Sequence, residues 1–236
     1  NVYVLRCLWG PSIKDRKKVE EEFEYYKKSG IKLWLYEYWG TYNQGMPWNV
    51  THMISWEAKL LKSVNGFGMR VESATQYANS GLTNYVGAKL LWNPQLNTDS
   101  LVQVFIEGYY GKAAPLIRRY LDGLEALPKP SLRIAEHVDT HWLTDSFLEK
   151  ADRLWRDAET VVADDTGRAY NVRMGRLSIV YTRLMRKLKR LEKSVWLCEM
   201  PVSNAEREEM AGEIEWIRQR MKEAHRPISF SEYESH

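Results

Sequence analysis

The chain has 236 residues, 44% hydrophobic and 28% charged, which allows one large domain or two small ones around a packed core. Its 34 basic and 31 acidic residues leave a net charge of +3, too balanced for charge to point to nucleic acid or an anionic membrane. No apolar run approaches the ~18 residues of a membrane span, and two cysteines, Cys7 and Cys198, form neither a disulfide framework nor a zinc pattern and read as buried thiols.

The chain opens at Asn1 directly into an apolar strand, Val2 to Leu8, without an initiator Met or signal peptide, so an upstream portion is expected. Ser12 and Asp15 have the spacing of a helix capping box, and Val19, Phe23 and Tyr26 then recur at helical spacing. Lys27 and Lys28 suit the last turn of that helix and Gly30 its C′ position. Ile31 to Trp39 is a near-continuous apolar run, as in a strand buried on both faces of a parallel sheet. A loop from Gly40 to Asn49 leads to a helix over 50–64, closed by Asn65-Gly66. Phe67 to Ser73 is a third strand. Strand–helix–strand–helix–strand predicts right-handed βαβ units with all three strands parallel.

Beyond a polar loop, Ser73 to Gly81, the pattern is almost wholly helical. Pro94 stops one helix, Asn97 or Thr98 caps the next, and Gly108 and Gly111 interrupt before a helix from Ala113 to Leu127. A hinge-like break falls at Pro128–Pro130. Longer helices follow over about 144–163, 169–197 and 204–225, the last opened by a Ser203/Glu206 capping box. The fold class expected is α/β: residues 1–80 form the C-terminal part of a TIM-like (β/α) barrel and residues 81–236 a helical extension. Three parallel strands cannot close a barrel, so their open edges are expected to be covered by another segment or another chain.

In such sheets the chemistry sits at the C-terminal strand ends. Glu37 and Glu72 satisfy that rule and are the candidate catalytic residues. By alternation Glu37 shares a face with Leu33 and Leu35, and Glu72 with Gly68 and Arg70. Two carboxyls on neighbouring strands suit glycosidic bond cleavage, one as acid and one as base or nucleophile; the competing reading is a pair of structural ion-pair or hydrogen-bond partners. Ten Trp and 14 Tyr against five Phe is a skewed aromatic set whose flat faces suit sugars as well as cores. Tyr36, Tyr38, Trp39, Tyr42, Asn43, Gln44, Trp48 and Arg70 are the candidate substrate-binding residues, with Trp39 or Trp48 as a stacking platform.

Three other features read as ordinary. His137 and His141 lie four apart, but no third ligand is spaced to join them, so neither metal nor cofactor is expected. The basic run from Arg183 to Lys193 belongs to an amphipathic helix with a solvated face. Asn49-Val50-Thr51 matches a glycosylation sequon, which has meaning only in a secretory route.

The segment from Ala88 to Leu121, AKLLWNP followed by DSL and FIEGYYGKAAPLIRRYL, resembles the bacterial family catalogued as domain of unknown function 4838, and its Gly-Tyr-Tyr-Gly-Lys-Ala-Ala-Pro run is the most specific part. The likeness continues through Leu148–Leu154 and Val172–Tyr181. It implies a glycoside-hydrolase-like protein whose barrel is related to those of α-glucuronidases and hexosaminidases. It also implies an extracytoplasmic location, an oligosaccharide or glycoconjugate as ligand, and upstream barrel strands of the same protein as a partner, without which this chain is inactive. The family's aromatic–Asp–Tyr strand end is matched by Tyr36-Glu37-Tyr38, with Glu in place of Asp, and its next strand ends in a glutamate matched by Glu72. Two rival readings stand beside this one: a non-catalytic carbohydrate-binding or scaffold module, and a helical interaction domain with a small αβ lobe.

Overall fold

The computed structural model describes residues 3–6, 16–40, 45–72, 80–128, 142–196 and 203–224. The chain begins β1 (Tyr3–Arg6), α1 (Arg16–Lys28), β2 (Lys32–Tyr38), α2 (Thr51–Ser63), β3 (Gly68–Glu72). The three strands form one sheet in the order β1-β2-β3, with both pairings parallel. Two successive crossovers of the same hand, each advancing one strand, place both helices on one face. That face is apolar: Phe23 of α1 and Leu60 and Leu61 of α2 pack with Leu33 and Leu35 of β2. The turns between elements are tight. Gly30 takes φ +67° after α1, and Asn65 takes φ 52° after α2, where the Gly66 amide donates to the Leu61 carbonyl at 2.8 Å.

After β3 the chain is helical throughout the described residues. α3 (Ser80–Trp92), α4 (Thr98–Tyr110), a 3-10 turn (Gly111–Ala113), α5 (Ala114–Glu125), α6 (Asp145–Val161), α7 (Thr166–Trp196) and α8 (Asn204–Glu223) follow. Asn97 caps α4 by accepting from the Ser100 amide, and Ser203 and Glu206 form the reciprocal capping box that opens α8. Gly108 does not interrupt α4; the stop is at Gly111, whose φ of +55° lets the chain leave the helix.

The barrel expectation is overturned. Among the described residues the sheet has only three strands, and helices dominate the chain. The chain turns to helix-on-helix packing because each later helix is long and carries an apolar stripe that another helix covers. One cluster of buried residues runs from Trp39 through α2–α6 to Ile179 of α7, so the sheet end and the helices share a core. A smaller cluster joins α7 to α8 through Leu177, Val180, Leu184 and Ile217. Between α6 and α7, Asp152 of α6, only 4% exposed, accepts from Arg176 at 2.8 Å, Arg183 at 3.0 Å and Arg156 at 2.8 Å. The basic run at the start of α7's second half is therefore partly used inside the bundle: Arg183 and Lys187 also meet Glu209 and Glu213 of α8.

Candidate functional site

The parallel register places Tyr36 opposite Arg70, Glu37 opposite Val71, and Tyr38 opposite Glu72. Side chains alternate along a strand, so the two candidate carboxyls, although at the same sheet end, point to opposite faces. Glu37 joins Leu33 and Leu35 on the helix-covered face and is fully buried. Glu72 joins Arg70, Tyr36 and Tyr38 on the face that α1 and α2 leave uncovered. A catalytic pair made of Glu37 and Glu72 in one cleft is therefore not what the sheet builds.

The uncovered face is polar and aromatic. The Tyr36 hydroxyl donates to the Glu72 carboxylate across the two strands. The Tyr36 and Tyr38 rings meet edge to face with centroids 5.1 Å apart, and the Arg70 guanidinium lies 5.5 Å from the Tyr36 centroid. Arg70 is exposed and the other three are half-buried. Toward the other end of the strands the same face continues as Trp34 and Phe67, 5.0 Å apart, with Lys32 over the Phe67 ring. Gly68 is required there: a Cβ would come within 2.8 Å of the Trp34 ring, which lies across it. The result is a strip of aromatic faces flanked by one carboxylate and two cations.

The covered face holds a second group of acids. Glu57 of α2 is fully buried and accepts from Trp39 Nε1 at 3.3 Å. Its other oxygen has no hydrogen-bond partner among the described residues. Burial raises the Glu57 pKa well above the usual carboxylate range, and the nearby Glu37 raises it further; the Trp39 bond and the more distant Arg16 pull it back only in part. Two buried carboxyls therefore lie close together, and each disfavours the charged form of the other. Sequence reading missed Glu57, although it left a signal: Met53, Ile54, Glu57, Ala58 and Leu61 recur at helical spacing, which puts an acid on an apolar stripe.

The aromatic candidates divide. Tyr36 and Tyr38 belong to the open face. Trp39 and Trp48, expected as stacking platforms, are instead core residues, 5% and 7% exposed, and Trp48 packs edge to face on Trp142 at 5.8 Å. Trp39 is held by its bond to Glu57 and by Gly87, where a Cβ would meet the indole at 2.0 Å. Tyr42, Asn43 and Gln44 lie outside the described residues, as do both cysteines and the His137/His141 pair. Among the described residues no group of three or more His, Cys, Asp or Glu is placed to hold a metal ion, and no helix is long and apolar enough to cross a membrane.

These observations define a helix-dominated protein with a small parallel sheet, one face of which is covered by α1 and α2 and is apolar apart from Glu37, the other aromatic and polar and left uncovered by the described helices. A family model described as "Domain of unknown function (DUF4838)" matches residues 2–122, the whole sheet and the helices as far as α5. The chain belongs to that family. No curated protein and no solved structure matches it.

Proposed function

We propose that the chain recognises a glycan through the open sheet face, as part of a glycan-processing, glycoside-hydrolase-like protein. The observation that supports this reading is the Tyr36–Glu72 hydrogen bond at the strand ends, with Tyr38 and Arg70 beside it. A sugar offers apolar C–H faces and a ring of hydroxyls. Tyrosine rings meet the first, a carboxylate and a guanidinium meet the second, and the cross-strand bond fixes the carboxylate in advance, which lowers the ordering cost of binding. Glu37 and Glu57 do not meet the ligand in this reading; they hold β2 and α2 together behind the face.

Hydrolysis is a second reading, favoured by the orientation that Tyr36 imposes on the Glu72 carboxylate at a strand end. A general acid or base must be held within hydrogen-bond reach of the reacting proton, and an oriented carboxylate meets that condition. One experiment separates the two. The chain is titrated with a panel of oligosaccharides while tryptophan fluorescence and reducing-sugar release are followed together. Saturable quenching without release supports recognition. Release that Glu72→Gln abolishes supports hydrolysis. No response to any glycan overturns both.

A further inference from the structure

The open face does not end at Tyr36. One step back along β2, Trp34 lies on the same face, opposite Gly68 of β3. Its indole folds across that glycine: a Cβ on Gly68 would meet three atoms of the six-membered ring at 2.8, 3.1 and 3.1 Å. Strand side chains ordinarily stand upright from the sheet. A ring laid on bare backbone presents a face instead, and a glycine inside a strand is what permits the close approach. The Phe67 ring, 57% exposed, flanks the indole at 5.0 Å, and Leu5 of β1, paired with Trp34 in the register, is 64% exposed. Trp34 itself is only half-buried. Trp34, Tyr36 and Tyr38 occupy alternate positions of β2, so the strip they form is about 13 Å long, more than one pyranose ring covers and enough for about three linked ones.

We propose that Trp34 is a second sugar platform and that the ligand is a linear oligosaccharide laid along β2. This rests on the glycan reading of the Tyr36–Glu72 end. One sugar meets Tyr36, Tyr38, Arg70 and Glu72, and a later one stacks on the indole. The surroundings of Trp34 favour a sugar over an apolar tail. The exposed Lys32 ammonium lies 5.4 Å from the Phe67 centroid and brings N–H donors to the edge of the rings. Sugar hydroxyls accept from such a group; a hydrocarbon has no use for it. Continuity with the polar end settles the direction, because the same β2 face carries both groups of rings without a break.

The test is isothermal titration of the 236-residue chain with cello-, chito- and xylo-oligosaccharides of increasing length, with tryptophan fluorescence followed in parallel. In the series that binds, affinity is expected to climb about tenfold from monosaccharide to trisaccharide and then level off, the gain that one buried Trp contact supplies. Trp34→Ala is expected to remove the climb and leave monosaccharide affinity unchanged. Gly68→Ala keeps the indole but lifts it from the backbone, and is expected to do the same. Trp34→Phe is expected to keep part of the climb and lose most of the ligand-induced fluorescence change. Circular dichroism of each variant checks that the fold is intact. Affinity that does not depend on length overturns the proposal, as does a Trp34→Ala or Gly68→Ala variant that keeps the climb. An octyl glycoside that gains as much as the trisaccharide also overturns it, since the ring then reads an apolar tail. Length-independent binding that Glu72→Gln still abolishes sinks the second platform alone. Absence of binding at every length in every series sinks the glycan reading with it.

Discussion

The indole N–H of Trp39 reaches the Glu57 carboxylate at 3.3 Å close to buried Glu37, so the end of β2 is tied to α2 through a buried acid whose pKa is raised well above the usual carboxylate range. Trp39 is also the residue whose amide donates to the Glu72 carbonyl at 3.0 Å. The buried acids thus sit directly behind the strand end that carries the open face.

A pH dependence of stability follows. The folded chain raises the Glu57 pKa above its unfolded value, through burial first and Glu37 second, with Arg16 of α1 as the opposing cation. The folded state then binds more protons than the unfolded one, so this group's contribution is most favourable below the unfolded carboxylate pKa. It is lost progressively as pH rises from there through the folded value. Glu57→Gln retains an acceptor for Trp39 and cannot ionise. It is expected to raise Tm at neutral pH by about 2–4 °C for each kcal/mol of penalty removed, with the difference from wild type vanishing in acid. Thermal melts at a series of pH values check this; a constant offset at every pH excludes the proton linkage.

Two glycine substitutions are expected to act in opposite directions. Gly87→Ala places a methyl 2.0 Å from the Trp39 ring, with core on every side, so about 1–3 kcal/mol of overpacking outweighs the gain in helix propensity. Gly212→Ala, inside α8 with nothing within 4 Å of the new methyl, is expected to stabilise by about 0.4–1 kcal/mol. Urea denaturation of both variants reads the two signs.

Asp152 is the anchor of the α6–α7 contact. Asp152→Ala takes from Arg176 and Arg183, 13% and 21% exposed, the shortest and most buried of the carboxylate contacts that each makes. Removing one partner of a buried ion pair costs about 3–5 kcal/mol. Asp152→Ala is therefore expected to unfold at markedly lower urea, and a shift under 1 kcal/mol would show that Glu159, Glu209 and Glu213 already suffice.

The sequence was legible where the physics is local. The βαβαβ order, the parallel pairing and the neighbours of Glu37 and Glu72 along their own strands come from periodicity and alternation; that the two acids face opposite sides of the sheet needed the register between β2 and β3. Caps at Asn97 and Ser203 were readable for the same reason. What failed was what distant residues decide. Trp39 and Trp48 carry the flat face and polar edge that suit a sugar platform, yet Gly87 of α3 and Trp142 close over them, and nothing within a few residues of either announces that. The barrel failed similarly. Three short parallel strands do not specify how many more follow, and the apolar stripes of α3–α7 satisfy one another instead of covering further strands. Glu57 was a different kind of miss. Its position on the Met53–Leu61 stripe is visible in the sequence, but an acid in a helix does not lie at a strand end, where chemistry is expected in such sheets.

The open face itself yields the most direct expectation. Tyr36→Phe removes the hydroxyl that donates to Glu72, Glu72→Gln removes the charge, and Arg70→Ala removes both the guanidinium and its stacking on Tyr36. Hydrogen bonds that involve a charged group contribute about 1.5–3 kcal/mol. Each of the last two substitutions is therefore expected to weaken glycan binding about 10- to 100-fold, and Tyr36→Phe by less. All three residues lie on the uncovered side of the sheet, so the melting temperature is expected to stay within a few degrees of wild type. Glu37→Gln makes the opposite prediction: its side chain is buried behind the sheet, so stability shifts while glycan affinity holds. Isothermal titration with whichever oligosaccharide the panel selects, paired with thermal melts of the same four variants, reads both columns at once. Loss of affinity with Glu37→Gln and not with Glu72→Gln would move the ligand to the other face and refute the assignment of the open one.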